Sequence, residues 1–294
     1  RRDVLVSLAG EVAQTYIVLR AFQERVAIAS RNLKTQEHSA RITRLRFEAG
    51  FVSGLDVASA EAQAATTAAA IPLLESAARQ SVYRLSILLG RNPADLLPEL
   101  APPGPIPLQP PAVPTGLPSE LLQRRPDIRM AEARAHAATA RIGAATAELF
   151  PRFTIGGSAG VTSSDLGSIG PGNRFWSIGP AVSWNLFDAG RTRAVIEQQE
   201  AIAEETLLAY RQTVLGALQE VESALVASTQ EQQRRDELVR AVAGNRRALD
   251  LSMRLYTQGQ TDFLSVLEAQ RALTLTEDAL ANSTGTVLTE LVAL

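Results

Sequence analysis

Cysteine is absent from the 294 residues, which excludes disulfides, thiolate metal sites and cysteine nucleophiles. Lysine is nearly absent too: Lys34 stands alone, and arginine carries the remaining basic charge. Aromatic residues make up only 5% of the chain, which points to packing by alanine and leucine rather than an aromatic-rich core. The 29 basic residues nearly balance the 31 acidic ones, so there is no electrostatic footprint for nucleic acid. No uninterrupted run of 18 apolar residues occurs, which argues against a transmembrane helix. The chain opens on Arg1 rather than methionine, and its first apolar stretch is broken by Asp3 and Glu11. That stretch is too short for a signal peptide, and the sequence reads as a fragment. What is present, 46% hydrophobic and 20% charged residues, suffices to bury a core.

Ten of the fifteen prolines fall between Pro93 and Pro118, marking residues 91–118 as an extended connector rather than a packed element. Before it, Leu5, Val12, Leu19, Val26, Leu33, Ala40 and Phe47 form a row with a period of seven, the pattern of a long supercoiling helix. Residues 2–48 as helix extend about 70 Å. Gly50, Ser53 and Gly54 break the pattern, and a second helix runs to about Leu89 with Pro72 predicted to kink it. Residues 1–90 thus read as a helical hairpin. After the connector, residues 119–149 read as helix, with Ser119 as a cap and Pro126 as an internal joint. Residues 150–188 switch to a period of two. Phe153, Ile155, Gly157, Ala159 and Val161 alternate with small or polar residues, as do Trp176, Ile178, Pro180, Val182, Trp184 and Leu186. This predicts a hairpin with one apolar and one small-polar face. Residues 189–294 return to helix, broken at Gly259.

The two helix breaks align at an offset of 209. Phe47 meets Tyr256, Gly50 meets Gly259, Leu55 meets Leu264, Val57 meets Val266 and Ala60 meets Ala269. Each half buries its apolar stripe on its neighbours. By this offset about 90 residues, carrying a first helix and a first strand hairpin, are expected upstream.

Candidate chemistry is thin. Gly156-Gly157-Ser158-Ala159-Gly160 spells a G-x-S-x-G nucleophile elbow, but the strand runs on into a polar loop and both histidines, His38 and His136, precede Ser158. Small residues on one strand face explain it better. The glycines from Gly167 to Gly172 lack the Gly-Lys-Ser/Thr of a phosphate loop. Asp262 and Glu268 suit ordinary helix-start carboxylates. No catalytic residue, metal site or cofactor is expected. The strong signal is the hairpin, which carries both tryptophans on one face. Trp176 and Trp184 lie eight residues apart, about 26 Å along a strand. A 45° tilt reduces this to about 19 Å, comparable to the height between the aromatic girdles of a membrane barrel. A lone hairpin is marginal in water, and closing it with copies from other chains satisfies its edges.

Several of these pieces together resemble the TolC-like outer-membrane efflux family, in its NodT-type branch that works with resistance-nodulation-division pumps. They are Leu117 to Ile128 (LPSELLQRRPDI), Phe150-Pro151, Trp176-x-x-Gly179-Pro180, Leu186-Phe187-Asp188-Ala189-Gly190-Arg191, and the two aromatic-x-x-Gly breaks followed by Leu-x-Val. The resemblance implies a mainly α fold with a β-hairpin. Long coiled-coil helices would form an α-barrel, and the strands would enter a trimeric transmembrane β-barrel.

It further implies a homotrimeric, non-enzymatic conduit of the multidrug-resistance type for small molecules, set in the outer membrane of a Gram-negative bacterium with a large periplasmic portion. Its partners would be outer-membrane lipid, a periplasmic adaptor and an inner-membrane pump, with no nucleic acid and no cofactor. Tyr256, Leu264, Glu268 and Arg271 take the positions of the family's tip and gate. Gly50, Ser53, Gly259 and Asp262 take the adaptor-contact turns, and Trp176 and Trp184 the lipid-facing girdle. Ser265 stands where some members carry a second acidic residue, so the carboxylate ring would be single. The family's lipoprotein cysteine would lie upstream. The rival reading is a soluble periplasmic coiled-coil adaptor or scaffold, which accounts for the heptads and leaves the hairpin without a role.

Overall fold

The computed structural model describes residues 2–106, 125–162 and 174–293. Eight elements follow in chain order: α1 (Arg2–Glu48), α2 (Gly54–Leu88), α3 (Leu97–Leu100), α4 (Pro126–Ala147), β1 (Arg152–Val161), β2 (Arg174–Ser183), α5 (Arg191–Thr257) and α6 (Phe263–Ala293). Among the described residues the fold is mainly helical with one two-stranded antiparallel sheet. The Ser119 cap, the N-terminal part of the Leu117–Ile128 motif and the loop 163–173 lie outside the described residues. Two compact units divide the chain: residues 1–115 with 219–294, and residues 116–218.

In the first unit, α1 packs on both α2 and α6. Leu19 is fully buried against Ala78, Val82 and Leu85 of α2 and Leu96, with Tyr16 and Phe22 at the rim. Nearer the helix breaks, Tyr256, Phe263, Val266 and Leu267 close over Ala60 of α2. Between these clusters the heptad row does not hold. Leu33 and Ala40 are only half-buried and Phe47 is exposed, while Gln36, Ser39 and Thr43 are 2%, 1% and 0% exposed. A straight helix drifts by about 20° per heptad, and α1 must also meet two neighbours at once. Small hydroxyl residues let the backbones approach. Their polarity is satisfied within the helix, Ser39 Oγ donating to the Thr35 carbonyl and Thr43 Oγ1 to that of Ser39, both at 3.0 Å.

An 18-residue window within Val4–Glu48 averages a hydropathy of 1.3, long and apolar enough by composition to cross a membrane. A search for unbroken apolar runs misses it. Part of this stretch is committed to protein contacts, since Tyr16 and Leu19 belong to the α1–α2 core.

The start of the connector departs from the extended, unpacked segment expected of its prolines. Leu96, Leu97 and Leu100 join the Leu19 core, and Ile106 is buried with Ile17 and Leu288. Gln23 Nε2 donates to the Leu100 carbonyl at 2.8 Å, and Arg20 Nη1 to that of Pro102 at 3.0 Å. A proline-rich segment has backbone acceptors that its own missing N–H groups cannot satisfy. Arg20 and Gln23 supply donors to them.

In the second unit, Pro126 opens α4 at its N-terminal end; the helical piece expected before it, residues 119–124, lies outside the described residues. A first-turn N–H has no helical acceptor, so proline loses nothing there. The strands pair with Phe153 opposite Val182, Ile155 opposite Pro180 and Ala159 opposite Trp176. One face therefore carries Phe153, Ile155, Trp176, Ile178 and Val182. The other carries Ser158, Ser177 and Gly160, with Phe175 as an aromatic exception opposite Gly160. A Cβ on Gly160 would sit 2.8 Å from the Phe175 ring, so glycine there is a close-approach requirement.

Candidate functional site

Three chemical features stand out: the paired helix breaks, an exposed row on α6, and the hairpin. At the first break α1 ends in a left-handed Gly50 (φ +79°), with Gly50 N–H donating to Phe47 and Phe51 N–H to Arg46. At the second, Gly259 (φ +73°) donates to Tyr256 and Gln260 to Leu255. Both are the αL closure that ties off the last helical carbonyls. Each following helix is then capped by residues at equivalent places, with the chemistry exchanged. Ser53 accepts from Asp56 N–H, while Asp56 Oδ2 accepts from Ser53 N–H at 3.0 Å. On the other side Asp262 Oδ1 accepts from the backbone and hydroxyl of Ser265, at 3.1 and 2.9 Å. Ser53 and Asp262 thus form the turns themselves.

The repeat is not symmetric in its packing. Tyr256 is 1% exposed, whereas its mate Phe47 is 47% exposed. Tyr256 meets Phe263 edge-on with ring centroids 5.5 Å apart, and its hydroxyl donates to Thr43 Oγ1 at 3.2 Å. Its side chain is packed between the helices at the second break. Arg46 completes the arrangement. Its guanidinium lies 4.6 Å over the Tyr256 ring, and Nη1 donates to the carbonyls of Tyr256 and Thr257. A cation there adds a second donor to the Tyr256 carbonyl, reaches that of Thr257, and meets the negative dipole end of α5. Sequence reasoning missed Arg46 because its repeat mate is Leu255 and nothing in the spacing marks it.

On α6, Leu264, Glu268 and Arg271 are all exposed, and their i, i+4, i+7 spacing puts them on one face. No ion pair joins Glu268 and Arg271, three residues apart on that face, among the described residues. Arg271 Nε donates to Gln63 Oε1 of α2 at 2.8 Å, and Glu268 has no hydrogen bond or ion pair among the described residues.

Both faces of the hairpin are exposed within the chain. On the apolar face Ile155 is 81% and Trp176 77% exposed, an arrangement that marks a surface awaiting a partner or an apolar medium. Ser158 sits within the strand with its hydroxyl 2.8 Å from that of Ser177, far from the sharp strand-to-helix turn of a nucleophile. Trp184 lies just past β2, and its Nε1 donates to the Leu149 carbonyl at 3.0 Å, closing the base of the hairpin.

From there the chain turns into α5 through Ala189 (φ +54°) and Gly190 (φ +87°), two successive left-handed residues. Asp188 holds this junction: its carboxylate accepts from Gly190 N–H at 3.1 Å, Thr192 N–H at 2.9 Å and the Thr192 hydroxyl. The Thr192 hydroxyl, foremost among these donors, holds the Asp188 carboxyl below its usual range. Asp127, at the start of α4, is likewise lowered, mainly by its hydrogen bond from Arg125.

The family model described as outer membrane efflux protein matches residues 1–91 and 117–294. The chain is 36% identical over 278 residues to Nodulation protein T of Rhizobium leguminosarum bv. viciae, covering 94% of this chain and 57% of that protein. It is 34% identical over 283 residues to the toluene efflux pump outer membrane protein TtgI of Pseudomonas putida, covering 96% and 60% respectively. Among solved structures, the outer-membrane channel OprN superposes with a TM-score of 0.91 at 40% identity, over 99% of this chain and 65% of that one. The MtrE outer membrane channel of Neisseria gonorrhoeae gives 0.84 at 29% identity, over 98% and 65%. The chain thus spans somewhat under two thirds of the length of these relatives.

Two outcomes follow from the geometry. Arg46→Met keeps the aliphatic stem but loses the charged donor, and is expected to cost about 2 kcal/mol. Arg44→Met, which removes an exposed pair with Glu61, is expected to cost less than about 1 kcal/mol. Urea unfolding followed by circular dichroism compares them, and equal costs would refute the tip role of Arg46. Because the folded carboxyl of Asp188 is depressed, its contribution is present above the unfolded value of 3.8 and is lost as pH falls through the lower, folded value. Thermal melts of wild type and Asp188→Asn should therefore differ at neutral pH, with the difference shrinking only as pH falls below 3.8.

Proposed function

The chain belongs to the outer membrane efflux protein family, and on that membership we propose that it is the greater part of one protomer of a passive, trimeric duct carrying small molecules from the periplasm across the outer membrane. The observation that carries this reading is the hairpin. An apolar face lined by Phe153, Ile155, Trp176, Ile178 and Val182 has no cover among the described residues, and a two-stranded sheet leaves two edges unpaired. In a bilayer both are resolved by closing with strands of other copies. A soluble adaptor or scaffold would leave that face in water.

The helices extend the duct on the periplasmic side, where the turns at Gly50–Ser53 and Gly259–Asp262 meet a periplasmic adaptor. An inner-membrane pump of the resistance-nodulation-division type drives transport, so the duct itself only opens and closes. A three-fold axis near the tip brings three copies of Leu264 and Glu268 together. The leucines narrow the passage, and the unpaired carboxylates favour cations. Tyr256, packed behind them with Arg46, sets where α6 begins. The relatives' names speak of toluene, solvent and pyoverdine export, and for this chain we propose only the shared class, small organic molecules.

In full-length protein refolded into vesicles, Ile178→Arg is expected to cost about 2–4 kcal/mol of barrel stability and Ser177→Arg much less, since only the former faces lipid. Equal losses would remove the lipid-facing assignment. For the tip, Glu268→Ala should lower cation preference, read as reversal potential under a salt gradient, and Leu264→Ala should raise closed-state conductance. If neither quantity moves, the constriction lies elsewhere.

A further inference from the structure

A half-open groove of about 490 Å³ runs between α2 and α6 with α1 as its floor. We propose that it binds an amphiphilic organic anion, apolar body on the leucines and anionic head at Arg271. This binding does not rest on the duct reading above. The volume lies in the range of small-molecule sites.

Its origin is local. Residues 58–70 of α2 are rich in alanine, and small side chains leave the space between two helices unfilled. Pro72 follows inside the unbroken helix, a residue that withholds a helical N–H. The walls are apolar: Leu73 and Leu275 line the groove while 74% and 71% exposed, and Ile28 lies beneath them. Thr66 spends its hydroxyl donor on the Ala62 carbonyl at 2.8 Å, which leaves it acceptor capacity alone toward the groove.

The charge is one-sided. The groove is lined by Arg25, Arg271 and Asp278, two cations against one anion. Arg25 and Asp278 neutralise each other in a bidentate pair at 2.6 and 3.1 Å. Among the described residues Arg271 bonds only the neutral amide of Gln63, so within the groove's lining one positive charge is left unneutralised. A wall that is apolar along its length and cationic at one end discriminates by head group as well as by bulk.

The test uses the full-length protein in nanodiscs of zwitterionic phospholipid, with empty discs subtracted. The probes are 1-anilinonaphthalene-8-sulfonate, uncharged N-phenylnaphthylamine, and a naphthyl trimethylammonium of similar body. One saturable sulfonate site per chain is expected. Ala70→Trp, which fills the groove, should weaken it at least tenfold, and Ala69→Trp, adjacent but outside the lining, should leave it unchanged. Arg271→Gln should weaken sulfonate about tenfold and leave the uncharged probe unaffected. If Ala70→Trp fails to fold, Leu275→Gln serves in its place and should weaken both the sulfonate and the uncharged probe.

Equal binding to the Ala69 and Ala70 variants, unweakened binding to Leu275→Gln, or equal competition by the cationic probe would overturn the proposal. Planar-bilayer recordings on the same protein separate the two readings. Conduction without sulfonate binding removes the groove and leaves the duct, while binding without conduction removes the duct and leaves the groove.

Discussion

Helix α1 has to satisfy two neighbours at once, and much of the first unit follows from that demand. Toward α2 it offers Leu19 in an apolar cluster. Toward α6 it offers Ser39, whose hydroxyl accepts from Gln270 Nε2 at 2.7 Å, Asn32, which donates to Glu277 at 3.1 Å, and Arg25, paired with Asp278. The first kind of contact is non-directional and tolerant of small shifts. The second is directional, and a buried polar group that loses its partner is expensive. The α1–α6 seam therefore specifies one register more sharply than a leucine seam would. It also has a cost: Gln36 is buried with neither amide atom paired to any described residue.

The two helical breaks use the same backbone solution with different side chains. A left-handed glycine closes each helix, and a serine–aspartate pair opens the next, in one order at Ser53–Asp56 and the reverse at Asp262–Ser265. Equivalent turns are not placed equivalently, however. The second turn is drawn into the core by Tyr256 and Phe263 and held by Arg46 across the end of α5. The first has Gly54 where the second has Phe263, and Phe47 stays outside. One aromatic residue at the start of a helix thus separates a buried tip from an exposed one. The Leu264–Glu268–Arg271 face owes its position to the buried side of that same helix, where Val266 and Leu267 anchor it.

The hairpin obeys a different economy. Its apolar face is built from large residues that gain nothing within the chain, and its opposite face from serine, glycine and alanine that take up little room. Among the described residues Phe175, over Gly160, is the one large apolar group on the small-residue face, and it covers backbone that glycine leaves bare. The strain of turning from β2 into α5 is concentrated at Ala189, where an alanine occupies a left-handed conformation at a cost of about 1 kcal/mol. The Asp188 hydrogen bonds to Gly190 and Thr192 offset it.

The sequence by itself determined the helices, their breaks and the two-faced hairpin. All three are written in periods of seven or two and in glycines, signals that arise within a few neighbouring residues. It also carried the family, through the Leu186 to Arg191 segment and the repeated turns. Which residues of α1 are buried was not legible. A period-seven row assumes one partner, and α1 has two, so Gln36, Ser39 and Thr43 took the interior from Leu33 and Phe47. Nor were Arg46, the Gln63–Arg271 bond or the packed start of the connector, each of which joins groups far apart in the chain. Contacts of that kind depend on how the helices come together, and no local pattern encodes them. The same holds for Tyr256: its position in the repeat marked it as part of the tip, and only the packing of α6 against α1 decided that it lies inside.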